Sequence, residues 1–585
     1  MIQSARQYHI SEIFSIDSRI KYVIPKFQRE YIWGKEQWEN LFDDVIENEK
    51  GHFFGSIICI NKGKDVFDIM PLEIIDGQQR LATISLLYAA IYERLLEENR
   101  TDDDFITGRN NLKHRMLNRS KQDELKIELS YQNHNFADYK AIMNELSLCD
   151  DHYRPPNLGT RRIYKTYTYL KNRISGLKYG ELNKILDKIN SALFVKIEVN
   201  SHADAFTLFE SLNNRGIPLS AIDLVKNNIL ANLEKKKIKS IDAAFNEWVK
   251  LINNLPDYSV QERFLRQYYN AFRYKNKIRI RGIRRATRSN LIKIYDKLIS
   301  NDVSFIFEEL IEKSNKYNLL IEPDKNKEIK FYNGLIDLLH IGAALAYTFL
   351  LYLLSEHGKK QNLIKETIDF LVKYFVRRNI TDIPGTRDLD LIFINLIDEC
   401  EKNIDSLRPK LIKDLLTSSD KFATNEFFKE KLRGDIYEDN VAAARFILCK
   451  IEETHQTREV YTDLWERNKE GKYIWTIEHI FPEGKNIPKE WIGMIAGGDE
   501  EKAKDLQMEW VHKLGNLTLT AYNPKLSNYS FEKKKFRKDS KGNYVGYKNG
   551  LYLNRKLARS KSWTIEKIQA GTEELLKEAM RIFRV

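Results

Sequence analysis

Tyr473-Ile-Trp-Thr-Ile-Glu-His-Ile-Phe-Pro482 is followed, after a gap, by Lys513-Leu-Gly-Asn-Leu-Thr-Leu-Thr-Ala-Tyr-Asn-Pro-Lys-Leu-Ser-Asn528. The first stretch is a short apolar run that ends in Glu478 and His479 and is stopped by Pro482. The second sets β-branched residues in Leu517-Thr-Leu-Thr520 behind Gly515 and Asn516. It leads into Asn523-Pro524, a strong helix start because asparagine caps well and proline is tolerated at the first helical position. The predicted order is strand, loop, strand, helix. Such an order carries one carboxylate, one imidazole and one amide oxygen toward a single phosphate, and each suits phosphodiester hydrolysis. A neutral imidazole takes a proton from water near pH 7, its unperturbed pKa being about 6.5. A departing oxyanion needs a cation, and Mg²⁺ prefers oxygen ligands such as Glu478 and the side-chain carbonyl of Asn523 while keeping several waters. Singly, each residue has a plain structural reading: His479 a strand-end histidine, Asn516 a turn residue, Asn523 a helix cap. Their combination in this order carries the chemistry.

This arrangement resembles the His-Me finger, or HNH, nucleases. The resemblance implies His479 as general base, Glu478 and Asn523 as ligands of Mg²⁺ (or Mn²⁺), and Asn516 as the residue that braces the loop and orients the histidine. Glutamate stands where many HNH enzymes have aspartate.

At 585 residues the chain exceeds the size at which one core keeps growing, so roughly two to four domains are expected. A 42% hydrophobic and 30% charged composition is that of a soluble globular protein. A net charge of +12 favours an anionic partner, nucleic acid first among them. Cys59, Cys149, Cys400 and Cys449 are scattered, without a C-x-x-C pair or zinc spacing, which fits a reducing cytoplasm. The N-terminus lacks a continuous apolar h-region. The apolar run from Ile341 to Leu354 is too short to cross a membrane and reads as a buried helix, so no membrane partner is expected.

A second informative region comprises Ile24-Pro-Lys-Phe-Gln-Arg-Glu-Tyr-Ile-Trp33, Phe53-Phe-Gly-Ser-Ile-Ile58 and Leu72-Glu-Ile-Ile-Asp-Gly-Gln-Gln-Arg-Leu81. Phe53 to Ile60 and Leu72 to Ile75 have strand character, and Leu81 to Leu96 carries apolar residues at helical spacing. A helix that starts directly after a strand presents free N–H groups to an anion. Gly77 removes an obstructing Cβ, and Arg80 in the first turn can fork onto a phosphate. Read alone, Asp76 with Gln79 is also a variant capping box. The set P-x-F-Q-R-x-Y-x-W, F-x-G-S and D-G-Q-Q-R resembles the ParB-like N-terminal domain of the GmrSD-type restriction proteins, whose other half carries the HNH finger. That resemblance implies a nucleotide pocket lined by Gln28, Arg29, Ser56, Asp76, Gly77, Gln78, Gln79 and Arg80, binding a nucleoside triphosphate (NTP). No Walker P-loop occurs. A third signature runs from Ala205 to Leu224, where Asn213 and Arg215 sit in a turn before a helix capped by Ser220. Tyr31, Trp33 and Trp38 read as core of the N-terminal domain, or as part of a recognition pocket.

From Leu81 to about Lys188 the pattern is mostly helical, interrupted by a polar stretch from Asn99 to Lys113 and by the turn Pro155-Pro156-Asn157. Helices are expected to dominate from Ser240 to Ile451. A basic segment with Arg279, Arg281, Arg284 and Arg285 offers phosphate contacts, and Tyr268, Tyr269, Phe272 and Tyr274 nearby are candidates for stacking on bases. A second basic segment starts with Lys533, Lys534 and Lys535 and is placed to hold a scissile backbone. A closing amphipathic helix from Trp563 to Phe583 has Trp563, Ile568, Leu575 and Ile582 as expected core.

The expected fold is multidomain α+β. Residues 1–235 form a ParB-like nucleotide-binding domain with a helical insertion, 236–430 a mainly helical linker domain with a basic segment, and 431–585 a ββα-metal (HNH) nuclease domain with flanking helices. The resemblance implies a nucleotide-regulated, metal-dependent endonuclease of the modification-dependent (type IV) restriction kind, acting on modified foreign DNA. A nucleotide-dependent DNA-binding regulator with a non-cutting finger is the alternative. One finger holds one active site, so a double-strand break needs a homodimer or two successive nicks.

Overall fold

The computed structural model describes residues 2–585 apart from 64–68, 119–123, 132–133, 151–153, 203, 206–207, 209–220, 256, 419–421, 458, 460, 522–525 and 527. Packing divides the chain into two compact units, Met1–Glu262 with Arg288–Ile311, and Arg263–Thr287 with Glu312–Val585.

The first unit is built on a six-stranded mixed sheet. Its strands are β1 (Ile2–His9), β2 (Ile20–Val23), β3 (Phe53–Asn61), β4 (Met70–Asp76), β5 (Ile127–Glu128) and β6 (Leu193–Val199), in the spatial order β1-β6-β3-β4-β2-β5. β3 runs antiparallel to β4 and parallel to β6, so it is central, and Ile57 to Ile60 are all buried. Continuous burial, rather than alternation, is what a strand covered on both faces shows. Helix α1 (Gln78–Leu96) follows β4 after a single residue, Gly77, at φ 90°. Fifteen of its residues are buried, because it lies between the sheet-side core and helix α2 (Arg162–Ile174). Asn99 to Lys113 is not the interruption its polarity implies. Asp103–Met116 is a helix whose N-cap Asp102 accepts from the Phe105 amide at 3.1 Å, while Phe105, Leu112 and Met116 supply its buried stripe. A good cap and three apolar anchors outweigh polar composition. Helix α3 (Ala221–Lys235) completes what the site needs from this unit.

The second unit is mainly helical and includes α4 (Tyr332–His340), α5 (Gln361–Thr381) and α6 (Val441–Glu453). The apolar run at 341–354 divides into a short 3₁₀ turn at Ala344–Ala346 and a helix at Tyr347–Glu356, buried from Tyr347 to Leu354. Among the described residues no helix is long and apolar enough to cross a membrane. Strands β7 (Thr476–His479) and β8 (Leu517–Thr520) pair antiparallel, with Glu478 opposite Thr518 and His479 opposite Leu517. The helix expected at Asn523-Pro524 lies outside the described residues. Downstream come α7 (Phe531–Phe536) and the closing α8 (Ile565–Ile582). Trp563 and Ile568 are core as expected, but Leu576 and Ala579 take the inner positions that the sequence reading gave to Leu575 and Ile582.

α8 packs on the Leu514–Asn516 turn at backbone distance. A Cβ on Gly515 would lie 2.1 Å from the Ile568 carbonyl oxygen and 2.3 Å from the Thr572 nitrogen. Gly515→Ala is therefore expected to cost about 3 kcal/mol by overpacking, read as a lowered midpoint of thermal unfolding. Gly493→Ala, where a Cβ meets no neighbour, should leave that midpoint unchanged or slightly raised.

Candidate functional site

Three buried polar residues define the end of the β7–β8 hairpin. Asn516, fully buried, accepts from the Phe481 amide through Oδ1 at 2.8 Å. It donates from Nδ2 to the carbonyls of Phe481 at 3.0 Å and Val511 at 2.9 Å. Its own carbonyl accepts from Ile480 N at 2.9 Å. These bonds fix the backbone immediately after His479, which is how the turn holds the histidine.

Consecutive strand residues point to opposite faces, and Glu478 and His479 meet different partners accordingly. The His479 ring packs edge-on to Tyr437, with centroids 4.4 Å apart, and lies 5.5 Å from His512. Its Nδ1 sits 3.5 Å from the exposed Glu483 carboxylate, while Nε2 is buried without a protein partner. Burial, with His512 and Lys534 adding positive charge, pushes the imidazole down to about 3, so it is neutral at pH 7. Glu478, by contrast, accepts from Lys534 Nζ at 2.6 Å. The same ammonium donates to the carbonyls of His479 at 2.8 Å and Ile480 at 3.3 Å. An ammonium has three donors, and all three are spent on this one turn of chain. Burial raises the Glu478 carboxyl and lowers the Lys534 amine, each opposed by the other's charge.

Lys534 had read as a DNA contact, and the structure corrects this. Lys533, Lys534 and Lys535 are successive residues of α7 and project about 100° apart, so they cannot share a face. Lys534 and Lys535 are buried, the latter donating to the Ser560 carbonyl at 2.7 Å. Lys533 alone of the three is exposed; with Arg537 and Lys538 it lines an open cavity of about 630 Å³ beside Tyr529 and Phe536. In the other basic segment Arg279, Arg281 and Arg284 are exposed and Arg285 half-buried, alternating with buried Ile278 and Ile280. The aromatic residues are not available to bases: Tyr268, Tyr269 and Phe272 are fully buried, and Tyr274 packs on Tyr352.

No group of three or more His, Cys, Asp or Glu among the described residues is placed as a metal cage. Mg²⁺ needs no such cage, because it keeps waters and takes one or two carboxylates. Glu478 retains acceptor positions beyond the one Lys534 uses, so its chemistry fits a hard divalent cation. Asn523, the other assigned ligand, lies outside the described residues.

In the first unit, Gly77 is the N-cap of α1, and glycine suits it on two counts, the left-handed φ of 90° and the close approach of β3. A Cβ there would lie 3.0 Å from the Ile57 side chain and 3.1 Å from the carbonyl of half-buried Ser56. Arg80 pairs with Asp76 at 3.7 Å and donates to the Phe54 carbonyl at 2.7 Å. Gly55 makes this possible: a Cβ on it would meet the Arg80 guanidinium at 1.8 Å. Burial raises the Asp76 carboxyl and lowers both Arg29 and Arg80, while the opposite charges resist. The two glutamines do other work. Gln79 accepts from the Ile32 amide at 2.9 Å and donates to the Glu30 carbonyl at 3.1 Å, and Gln78 donates to Gln28 at 3.4 Å. These bonds bolt the 28–33 segment onto α1. Tyr31 and Trp38 are likewise core, with the Tyr31 hydroxyl 2.6 Å from Thr83. Asn213 and Arg215 lie outside the described residues. Two further residues join the charged group: Asp223, which the sequence pattern gives only a capping-box role, and the buried Lys226 on α3, 3.4 Å apart and both acting electrostatically on Arg29. Their i,i+3 spacing in Asp223-Leu-Val-Lys226 was the available signal.

The sequence matches the model of the GmrSD restriction endonuclease N-terminal domain over residues 10–230 and that of the GmrSD restriction endonuclease C-terminal domain over residues 422–578. Together these segments cover more than half of the chain, which belongs to the GmrSD-type restriction endonuclease family. An uncharacterized protein of Methanocaldococcus jannaschii is 21% identical over 524 residues, spanning 81% of this chain and 79% of its own length. The family makes the chain a restriction endonuclease, with DNA as its substrate.

Removing one partner of the Glu478–Lys534 pair strands a buried charge. Lys534→Met is expected to cost about 3 kcal/mol in unfolding free energy. Adding Glu478→Gln should recover most of that stability without restoring cleavage, a double-mutant cycle that calorimetry and a plasmid assay read separately.

Proposed function

We propose that the chain is a nucleotide-regulated, metal-dependent DNA endonuclease of the modification-dependent kind, with an HNH-type finger at β7–β8. The observation that carries this reading is His479 itself: a neutral imidazole with one unpartnered ring nitrogen, on a strand end whose following turn is clamped by Asn516 and Lys534.

In this reading His479 takes the proton of the attacking water, and Asn516 keeps the ring in place through the backbone of the turn. Lys534 neutralises part of the charge on Glu478, which with Asn523 would hold Mg²⁺ or Mn²⁺. The cation, when bound, supplies positive charge for the departing oxyanion. Lys533, Arg279, Arg281, Arg284 and Arg285 meet the DNA backbone. In the first unit, Arg29 and Arg80 are the groups for nucleotide phosphates, and Asp76, buried beside them, orients water or a cation. Lys226 adds a third positive charge to this group, and Asp223 balances it.

Plasmids bearing no modification, glucosylated hydroxymethylcytosine or phosphorothioate linkages are the substrates for the test, with and without Mg²⁺ and each NTP. Cutting of one modified plasmid is expected, lost on chelation with EDTA. His479→Ala should reduce it about 10²-fold or more, the usual contribution of a general base. Asp76→Ala should abolish NTP turnover while metal-dependent cutting persists but no longer responds to NTP. If no plasmid is nicked or cut and His479→Ala alters nothing, the nuclease assignment of this site fails.

A further inference from the structure

Away from the β7–β8 hairpin, the second unit holds an open cavity of about 1080 Å³ between the end of α4, the end of α6 and the segment 461–473. Five rings face it: Tyr332, His340, Tyr461, Trp465 and Tyr473. His340 stacks on Trp465 with centroids 3.6 Å apart and planes 11° apart. Arg445 lies over Trp465 at 4.6 Å and over Tyr473 at 3.8 Å, and Arg467 covers Tyr473 at 4.1 Å. Tyr461, 72% exposed, is the open ring at the rim.

The polar lining decides what fits. Asp324, Asp337, Glu453 and Asp463 face Lys450 and Arg467, an acidic excess in a chain of net charge +12. Phosphate is therefore the wrong occupant. An organic cation fares no better, because guanidinium groups already cover Trp465 and Tyr473. Burial, reinforced by Arg445, Arg467 and Lys450, pushes the His340 imidazole down to about 4, so a second cation would meet the same repulsion. What remains is a neutral planar heterocycle with N–H donors. Asp324 accepts the Tyr332 hydroxyl at 2.7 Å and Asp463 the Trp465 amide at 2.9 Å, and each carboxylate has further acceptor positions. His340 Nδ1 is buried with no protein partner.

We propose that this cavity takes one unstacked nucleobase of a DNA strand, recognised through its exocyclic amine and stacked against Tyr461. Carboxylates accept from such amines, and aromatic faces hold bases without regard to sequence. The assignment rests on the DNA-endonuclease reading and locates a base-reading site within it. Tyr473 lies six residues before His479, so the two are at most about 20 Å apart along extended chain. A base held here sits within a few nucleotides of the bond to be cut.

The test uses the full chain in EDTA, so that cutting does not intervene, and a single-stranded oligonucleotide with one 2-aminopurine, a base that carries an exocyclic amine and needs no unpairing. Binding should immobilise that base, seen as a rise in its own emission anisotropy. Tyr461→Ala should weaken binding about tenfold and His340→Gln should lower the anisotropy rise. Wild-type affinity and anisotropy in both variants would overturn the proposal. So would saturable binding of free 2-aminopurine deoxyriboside with the oligonucleotide unaffected, which would make the cavity a site for a free nucleoside. A protein that immobilises the base as stated but cuts no plasmid refutes only the nuclease reading.

Discussion

A buried amide must have every polar atom paired, and Asn516 shows what that requirement does to a fold. Its side chain spends both donors and its oxygen on backbone groups of Phe481 and Val511. Any rearrangement of the turn after β7 would leave at least one of those groups unsatisfied in a dry interior, at a cost of about 1–3 kcal/mol each. The neighbouring Gly515 admits the backbone of α8 at a distance no side chain would allow, and Gly515 N donates to Thr572 Oγ1 at 3.0 Å. Two adjacent residues thus fix the hairpin, the loop that follows His479 and the closing helix together. The histidine inherits its position from them.

How much of this could be read in advance depended on whether the information was local. The β7–β8 pair and the β4–Gly77–α1 junction were legible, because strand propensity, caps and turn residues act over a few positions. Helix phase was harder. Lys533, Lys534 and Lys535 look alike in a basic run, yet one is exposed and two are buried, because α7 turns the second toward Glu478, 56 residues upstream. Tyr268, Tyr269 and Phe272 have the composition of a stacking platform but are core, since the helix that carries them is covered on that side. Gln78 and Gln79 belong to a motif that suggests ligand contact, and they also hold the 28–33 segment, Gln79 through that segment's backbone and Gln78 through the Gln28 side chain. In each case the deciding contact is long-range, and residue type alone does not encode it.

Both candidate sites obey one electrostatic rule. Asp76 and Glu478 are raised, and Arg29, Arg80, Lys226 and Lys534 are lowered, each with burial as the leading cause. Every shift is toward the neutral form, and in every case a neighbouring opposite charge resists it. In the proposed reading, an anion beside the Arg29 and Arg80 group, or a cation beside Glu478, would offset part of this desolvation cost.

That balance bears directly on how His479 can act. An imidazole held at about 3 is neutral at every physiological pH but too weak a base to serve well, since general bases work best with a pKa near the ambient pH. Its depression has two sources, burial and the positive charge of His512 and Lys534. A phosphodiester docked at the strand end, as proposed, would bring negative charge against the same ring, and a nearby opposite charge favours the protonated form. In the proposed nuclease reading, the basicity of His479 would rise when DNA arrives and fall when it leaves. Proton abstraction by His479, as proposed, would then be conditional on substrate, through the burial of one ring and without a moving part.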